Sequence, residues 1–134
     1  MKITLPLQVE FQTGKSASYK WYKFILNLNN YRNAHHRTLA PAKKAYSDII
    51  WDRIPDTAIE RPVMLTYTYY AKTKRRLDIS NPCSIIDKFT CDALVKKGLL
   101  PDDDYNVIKG VTYKWGGIDK ENPRCELMIE EIKQ

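Results

Sequence analysis

The chain predicts an α+β fold, a single domain over residues 1–134 in which two main helices pack on a mixed β-sheet. Three observations predict it. Strand-like and helix-like stretches follow one another without regular alternation. The block from Pro62 to Ala71 is rich in Val, Thr and Tyr, the composition of a strand. Beyond it, Pro82, Ile85, Ile86, Phe89 and Ala93 recur at helical spacing and share one apolar face.

Taken in order, residues 2–11 alternate as one strand, and Thr13-Gly14-Lys15-Ser16 reads as a turn. Gly14-Lys15-Ser16 echoes a phosphate loop but lacks the upstream glycine, so it carries no weight. A second strand covers Trp21 to Leu28 and can form a hairpin with the first. The run from Asn29 to Arg37 is polar and basic and reads as a loop. Thr38 then caps a helix with Pro41 inside its first turn, running to about Ile54, where Pro55 ends it. After the strand at 62–71, a helix starts near Asn81-Pro82 and stops before Gly98. Asn81, Ser84, Lys88 and Asp92 line the flank beside its apolar face. Strands from Val107 to Trp115 and from Cys125 to Ile132 close the domain, joined through Gly116-Gly117. There is no repeat, linker or low-complexity tract.

The 134 residues suffice for one sizeable core but not two. A net charge of +6 favours a polyanionic partner, although charge says nothing about fold. Three widely spaced cysteines without a C-x-x-C pair argue against a zinc site or a disulfide framework and for reduced thiols in a cytosol. No signal peptide or membrane span is visible. A soluble cytoplasmic protein, with no membrane partner, is therefore expected.

The chemistry concentrates around the second main helix. Lys74-Arg75-Arg76 precedes Asp78, and Asp102-Asp103-Asp104 follows the helix end. Two acidic groups converging on Mg²⁺, with cations holding a polyanion beside them, would suit a metal-assisted nuclease. The blander expectations stand next to this one. Asp78 can be a helix cap or the partner of Arg75 or Arg76, and the three aspartates can be a solvated turn. Adjacent carboxylates repel, however, and a cation relieves that repulsion. Lys88 and Asp92, four apart, suit a surface ion pair worth about 0.3 kcal/mol, or a cleft role beside Asn81. His35 and His36, beside Arg32 and Arg37, fit phosphate contact better than metal binding, and plain exposure better still. Packing explains Tyr67, Tyr69 and Tyr70 before base stacking does.

Taken together, Arg75-Arg76-Leu77-Asp78-Ile79-Ser80-Asn81, Asp92-Ala93-Leu94-Val95-Lys96-Lys97-Gly98 and Asp102-Asp103-Asp104 resemble the RusA family of Holliday junction resolvases. Asn29-Asn30-Tyr31 looks like that family's amino-terminal motif. The likeness covers roughly residues 27–132 and is strongest over 75–108. Ser80-Asn81 with Ile85-Ile86-Asp87-Lys88-Phe89 looks like phage-encoded members in particular, which would place the protein in the host cytoplasm.

The resemblance implies a homodimeric, Mg²⁺-dependent endonuclease that resolves four-way DNA junctions by paired nicks. Asp78 takes the place of the family's first metal-binding aspartate. Counting forward from Gly98 selects Asp103 as the late ligand and counting back from Val107 selects Asp104; Asp103 is preferred and Asp104 stays open. Lys88 matches the active-site lysine across about four extra residues, roughly one helical turn, and Asp92 matches a recurrent helical aspartate. The family's usual second aspartate is Ser80 here, a poor Mg²⁺ ligand. That leaves Asp92, Asp87 or Asp102 to complete the site, with Asp87 the weaker because it points about 100° from Lys88. Catalysis is thus expected from Asp78, Lys88 and Asp103, metal binding from Asp78, Asp92 and Asp103, and backbone grip from Arg32, Arg37, Lys74, Arg75 and Arg76. A DNA-binding protein without catalysis and an RNA-binding protein are the other expectations.

Overall fold

A computed structural model describes residues 1–13 and 20–133. Most of the expected turn at Thr13-Gly14-Lys15-Ser16, Gly14 to Ser16, lies outside the described residues. The expected first strand is two strands. Pro6 has no N–H to give to a ladder, and the chain breaks there into β1 (Lys2–Leu5) and β2 (Gln8–Thr13). Both keep the same alternation, burying Ile3, Leu5, Val9 and Phe11. β3 (Lys20–Ile25) pairs antiparallel with β2 as the expected hairpin, Val9 opposite Phe24 and Phe11 opposite Tyr22.

The expected loop at 29–37 is mostly helical. The Asn27 side chain accepts from the Asn30 N–H at 2.8 Å and opens α1 (Leu28–Asn33). Its polar composition masked it, because a six-residue helix shows too few turns for a periodicity to register. α2 (His36–Ile50) is capped by His35, whose Nδ1 accepts from the Arg37 N–H at 3.2 Å. Thr38 is therefore within the first turn, not the cap, and Pro41 sits beyond that turn. Ala42, Tyr46 and Ile50, one turn apart, face the core. A turn of 3-10 helix (Trp51–Arg53) completes the segment before Pro55.

β4 (Val63–Ala71) leads into α3 (Ser80–Lys97), which returns the chain to β5 (Ile108–Ile118). β6 (Arg124–Glu131) follows. All five residues of the predicted apolar face of α3 are buried. Gly98, at φ 90°, ends the helix by donating its N–H to Leu94 and Val95 carbonyls, a conformation that costs glycine nothing. Gly116 and Gly117 belong to β5 and not to the loop expected there. Gly116 is the extra residue of a bulge between Trp115 and Gly117, where a Cβ would stand 2.7 Å from the Tyr70 ring.

The main sheet runs β1-β6-β4-β5, with β4 and β5 parallel and the other pairs antiparallel. This is the α+β, mixed-sheet architecture the sequence predicts, with α2 and α3 as its two main helices. α3 lies on the face that presents Leu65, Tyr67 and Leu127, and Tyr46 of α2 meets Thr90 of α3 through a 2.6 Å hydroxyl contact. Cys83, Cys91 and Cys125 are free and buried. Among the described residues no helix is long and apolar enough to cross a membrane.

Candidate functional site at the two ends of α3

Asp78 stands where β4's exit loop becomes α3. Its Oδ1 accepts from the Ser80 N–H at 3.2 Å and from the Ser80 hydroxyl at 3.0 Å, and its carbonyl accepts from the Asn81 N–H at 2.9 Å. Asp78 thus accepts from the first free N–H groups of the helix from one residue ahead of Ile79, which is itself already helical at φ −60° and ψ −32° and makes no side-chain cap bond. Asn81 Oδ1 accepts from the Leu28 N–H at 2.9 Å and ties the start of α1 to α3. Lys74, Arg75 and Arg76 are exposed, and none forms an ion pair within 4 Å of a carboxylate among the described residues. Arg75 and Leu77 line two adjoining cavities. Ile25 and Tyr69 line both as well; the one of about 470 Å³ adds Lys23 and Lys72, and the other, of about 330 Å³, adds Arg76, Asp78 and Asn81. The Asp78 end is therefore a basic groove with an apolar floor.

Toward the other end of α3, whose last turn carries Lys96 and Lys97, stand Asp92 and, beyond the helix, the acidic turn at Asp102–Asp104. Asp92 is exposed and pairs with Lys43 of α2 at 3.6 Å, not with Lys88 as the four-residue spacing suggests. Lys88 is exposed and lies 5.9 Å from the Tyr31 ring centre, where the ring face attracts its charge. In the turn after Pro101, Asp102 Oδ1 accepts from the Asp103 N–H at 2.7 Å, and Asp104 Oδ1 accepts from the Asn106 N–H at 2.9 Å. The Asp103 carboxyl is raised above the ordinary carboxylate value. Partial dehydration is the main cause, followed by its hydrogen bond to Asp102 and the charges of Asp102 and Asp92. Of the two candidates for the late ligand, Asp104 fastens the turn and Asp103 carries the crowding that a cation would relieve.

These two ends do not meet within one chain. Ser80 and Asp92 are twelve residues apart on α3, a rise of about 18 Å. The acidic turn precedes β5, whose start pairs with the start of β4, whereas Asp78 follows the end of β4. Among the described residues no three His, Cys, Asp or Glu side chains converge on a possible metal position. The expected set Asp78, Asp92 and Asp103 therefore divides into Asp78 alone and the neighbouring Asp92 and Asp103. Two carboxylate donors completed by water suit Mg²⁺, a hard ion that keeps much of its hydration shell; Asp78 cannot join them in the same protomer.

No protein-family model matches the chain, and no curated protein matches it.

Asp87 shows what the sequence concealed. Its Oδ1 accepts from the Tyr67 hydroxyl at 2.7 Å and the Cys91 thiol at 3.2 Å, and its Oδ2 from the Tyr113 hydroxyl at 3.2 Å. Burial, and then the Asp87 charge together with other nearby groups, pushes all three donors' titration up. Asp87 pins α3 to β4 and β5, and its oxygens are occupied, which removes it as the carboxylate that completes a metal set. The available signal was the inward position of Tyr67 in β4, together with the Asp87–Cys91 spacing of one helical turn. Lys97 is a second concealed anchor: it donates to the Trp51 carbonyl and, at 2.7 Å, to the Ile54 carbonyl. His35 caps α2, while Arg32 and Arg37 on either side of it are exposed.

Proposed function

We propose that the chain is a Mg²⁺-dependent, structure-selective DNA endonuclease that resolves four-way junctions by paired nicks in DNA recombination and repair. It would act in the cytoplasm, the host's if the protein is phage-encoded. The observation that carries this reading is the exposed acidic group formed by Asp103, Asp102 and Asp92, whose crowding, with partial dehydration, raises the Asp103 carboxyl above its ordinary value. Its likeness to the RusA motif, and the basic groove around Asp78, support the same reading.

Because Asp78 and Asp103 occupy opposite ends of α3, an ion shared by both needs two copies of the chain. A twofold homodimer supplies two such positions, one for each nicked strand. The residues that would hold Mg²⁺ are Asp103 and Asp92 of one copy and Asp78 of the other. When bound, the ion supplies Lewis-acid polarisation of the phosphodiester and a more acidic water. The chain's own residues do the rest. Lys88, exposed on the Asp92 flank, offsets negative charge at the cleaved phosphate. Lys74, Arg75, Arg76, Arg32 and Arg37 hold the backbone.

A second reading, a branched-DNA-binding protein without catalysis, is favoured by one observation: the Ser80 hydroxyl donates to Asp78 where the family places a second carboxylate. Incubating a synthetic four-way junction with the protein in Mg²⁺ and in EDTA separates the two. Paired, Mg²⁺-dependent nicks support the nuclease. Junction binding in EDTA with no cleavage in Mg²⁺ supports the binding protein.

A further inference from the structure

We propose that the groove between the β2–β3 hairpin and the exit of β4 is a seat for an unpaired nucleotide of a DNA strand. The base lies on Ile25, Tyr69 and Leu77, and Lys23, Lys72 and Arg75 hold the phosphate. The two adjoining cavities share Ile25, Tyr69, Leu77 and Arg75. Ile25 is 45% and Leu77 41% exposed, so the apolar floor is open to solvent. Tyr69 is half-buried, and its ring is braced by the Trp115 ring, stacked at 6.4 Å between centres. A flat ligand therefore meets a floor that is already ordered, at little cost in side-chain freedom. The larger cavity is lined by Lys23, Lys72 and Arg75 and by no Asp or Glu. None of these three cations lies within 4 Å of a carboxylate among the described residues, and that includes Glu10, which stands opposite Lys23 in the hairpin.

An apolar floor ringed by such cations matches a ligand with a flat apolar body and an anionic tail. A nucleotide is such a ligand, and a cavity of about 470 Å³ is of the size that small-molecule sites have. Paired DNA would use only the rim, because its base faces are stacked on one another. An unpaired base offers the face that the floor needs, and stacking of that kind tolerates any base. The hairpin extends the same surface. Side chains alternate across β3, so Trp21 and Lys23 share the face of Ile25. Trp21 is 70% exposed and stands about 14 Å from Ile25 along the strand. It continues the mixture of cations and rings that single-strand sites use. In a four-way junction the paired arms hide their bases, so the seated nucleotide comes from the branch point. That consequence and the choice of DNA rest on the proposed function; the seat itself does not.

Anisotropy titrations in EDTA test the seat, with a labelled oligothymidylate and an abasic strand that carries the same number of phosphates. The native chain should bind the oligothymidylate about tenfold tighter, the effect of a stacked base. Ile25→Ala/Leu77→Ala removes the floor and keeps every cation, so it should bind both strands alike with an unchanged salt slope. If that variant fails to fold, Leu77→Ser decides, since Leu77 lies in the exposed loop before α3, and it should lose most of the preference. A native chain that does not distinguish the strands, or a folded variant that distinguishes them as the native chain does, overturns the proposal. Tighter binding of oligouridylate than of oligothymidylate assigns the seat to RNA and overturns its DNA form. A base preference lost in the variant, in a chain that never cuts junctions, would leave the seat standing and remove the nuclease. Cleavage of junctions without any base preference would do the reverse.

Discussion

The Ser80 hydroxyl donates to Asp78 Oδ1 at 3.0 Å, beside the backbone N–H of the same residue. One aspartate therefore holds two jobs in the proposed function, capping α3 and binding metal, and substitution can separate them. Asparagine caps a helix about as well as aspartate, whereas alanine costs about 1 kcal/mol. Asp78→Asn should keep the native thermal midpoint and lose Mg²⁺-dependent cleavage, and Asp78→Ala should lose both. A cleavage-competent Asp78→Asn, measured on a four-way junction, would show that the residue is only a cap.

The separation of Asp78 from Asp103 along α3 makes a mixing experiment informative. Asp78→Asn and Asp103→Asn homodimers should each be inactive. Subunit exchange between them regenerates one intact position per mixed dimer, formed by Asp78 of one chain and Asp103 of the other. The mixture should therefore nick one strand of the junction and fail to make the paired second nick, read on a denaturing gel. No recovery in a mixture whose exchange is confirmed by mass would exclude a position shared between chains.

Asp103 also predicts a pH effect. Its folded-state titration lies above the ordinary value of 3.8, so the folded protein binds the proton more tightly than the unfolded chain. The resulting stability is fully present below the unfolded value and is lost as pH rises through the folded one. Asp103→Asn should remove that loss. Thermal midpoints of the native chain and the variant, compared from pH 3 to pH 7 in EDTA, should diverge in the variant's favour as pH rises through and past the carboxylate range. Parallel curves would mean that the aspartate is not crowded.

Asp87 should behave as a structural carboxylate. Removing the buried Tyr67 hydroxyl leaves a charged acceptor short of one donor, a loss of about 2 kcal/mol. Tyr67→Phe should therefore lower the urea midpoint, while junction cleavage well below the thermal midpoint stays within a few-fold of native. Loss of cleavage with unchanged stability would place Asp87 in the chemistry instead.

The parts of this molecule that were legible in the sequence are those fixed by short-range pattern. The apolar row from Pro82 to Ala93, Gly98 at the helix end and the Val-, Thr- and Tyr-rich run of β4 each state their structure locally. α1 was not legible, because Asn27 and Leu28 read as the end of a strand and Asn29 and Asn30 as loop residues until the Asn27 cap is seen. Nor was the break at Pro6, since Ile3, Leu5, Val9 and Phe11 keep one alternation across two different sheets. The site divides in the same way. Motif order placed the acidic and basic elements at either end of one helix, but the 18-residue length of α3 is what keeps them apart. Asp87 depends on Tyr67 and Tyr113 from two strands, a long-range arrangement that spacing on a helix does not encode.

The basic side chains give the last prediction, which concerns salt. Each phosphate neutralised contributes about −0.9 to the slope of log binding constant against log salt for duplex DNA. Lys74, Arg75 and Arg76 form one exposed cluster at the Asp78 end, and Arg32 and Arg37 form a second near the α1–α2 junction. Replacing Arg75 or Arg76 by alanine should reduce the slope by about one unit each and weaken binding to junctions of any sequence alike. These arginines have no carboxylate partner within 4 Å among the described residues, so fold stability should change by less than about 0.5 kcal/mol. Anisotropy titrations in EDTA, at several salt concentrations, read binding without cleavage. An unchanged slope in the Arg75→Ala/Arg76→Ala pair would move the DNA away from this groove, and the second cluster would then be the place to look for it.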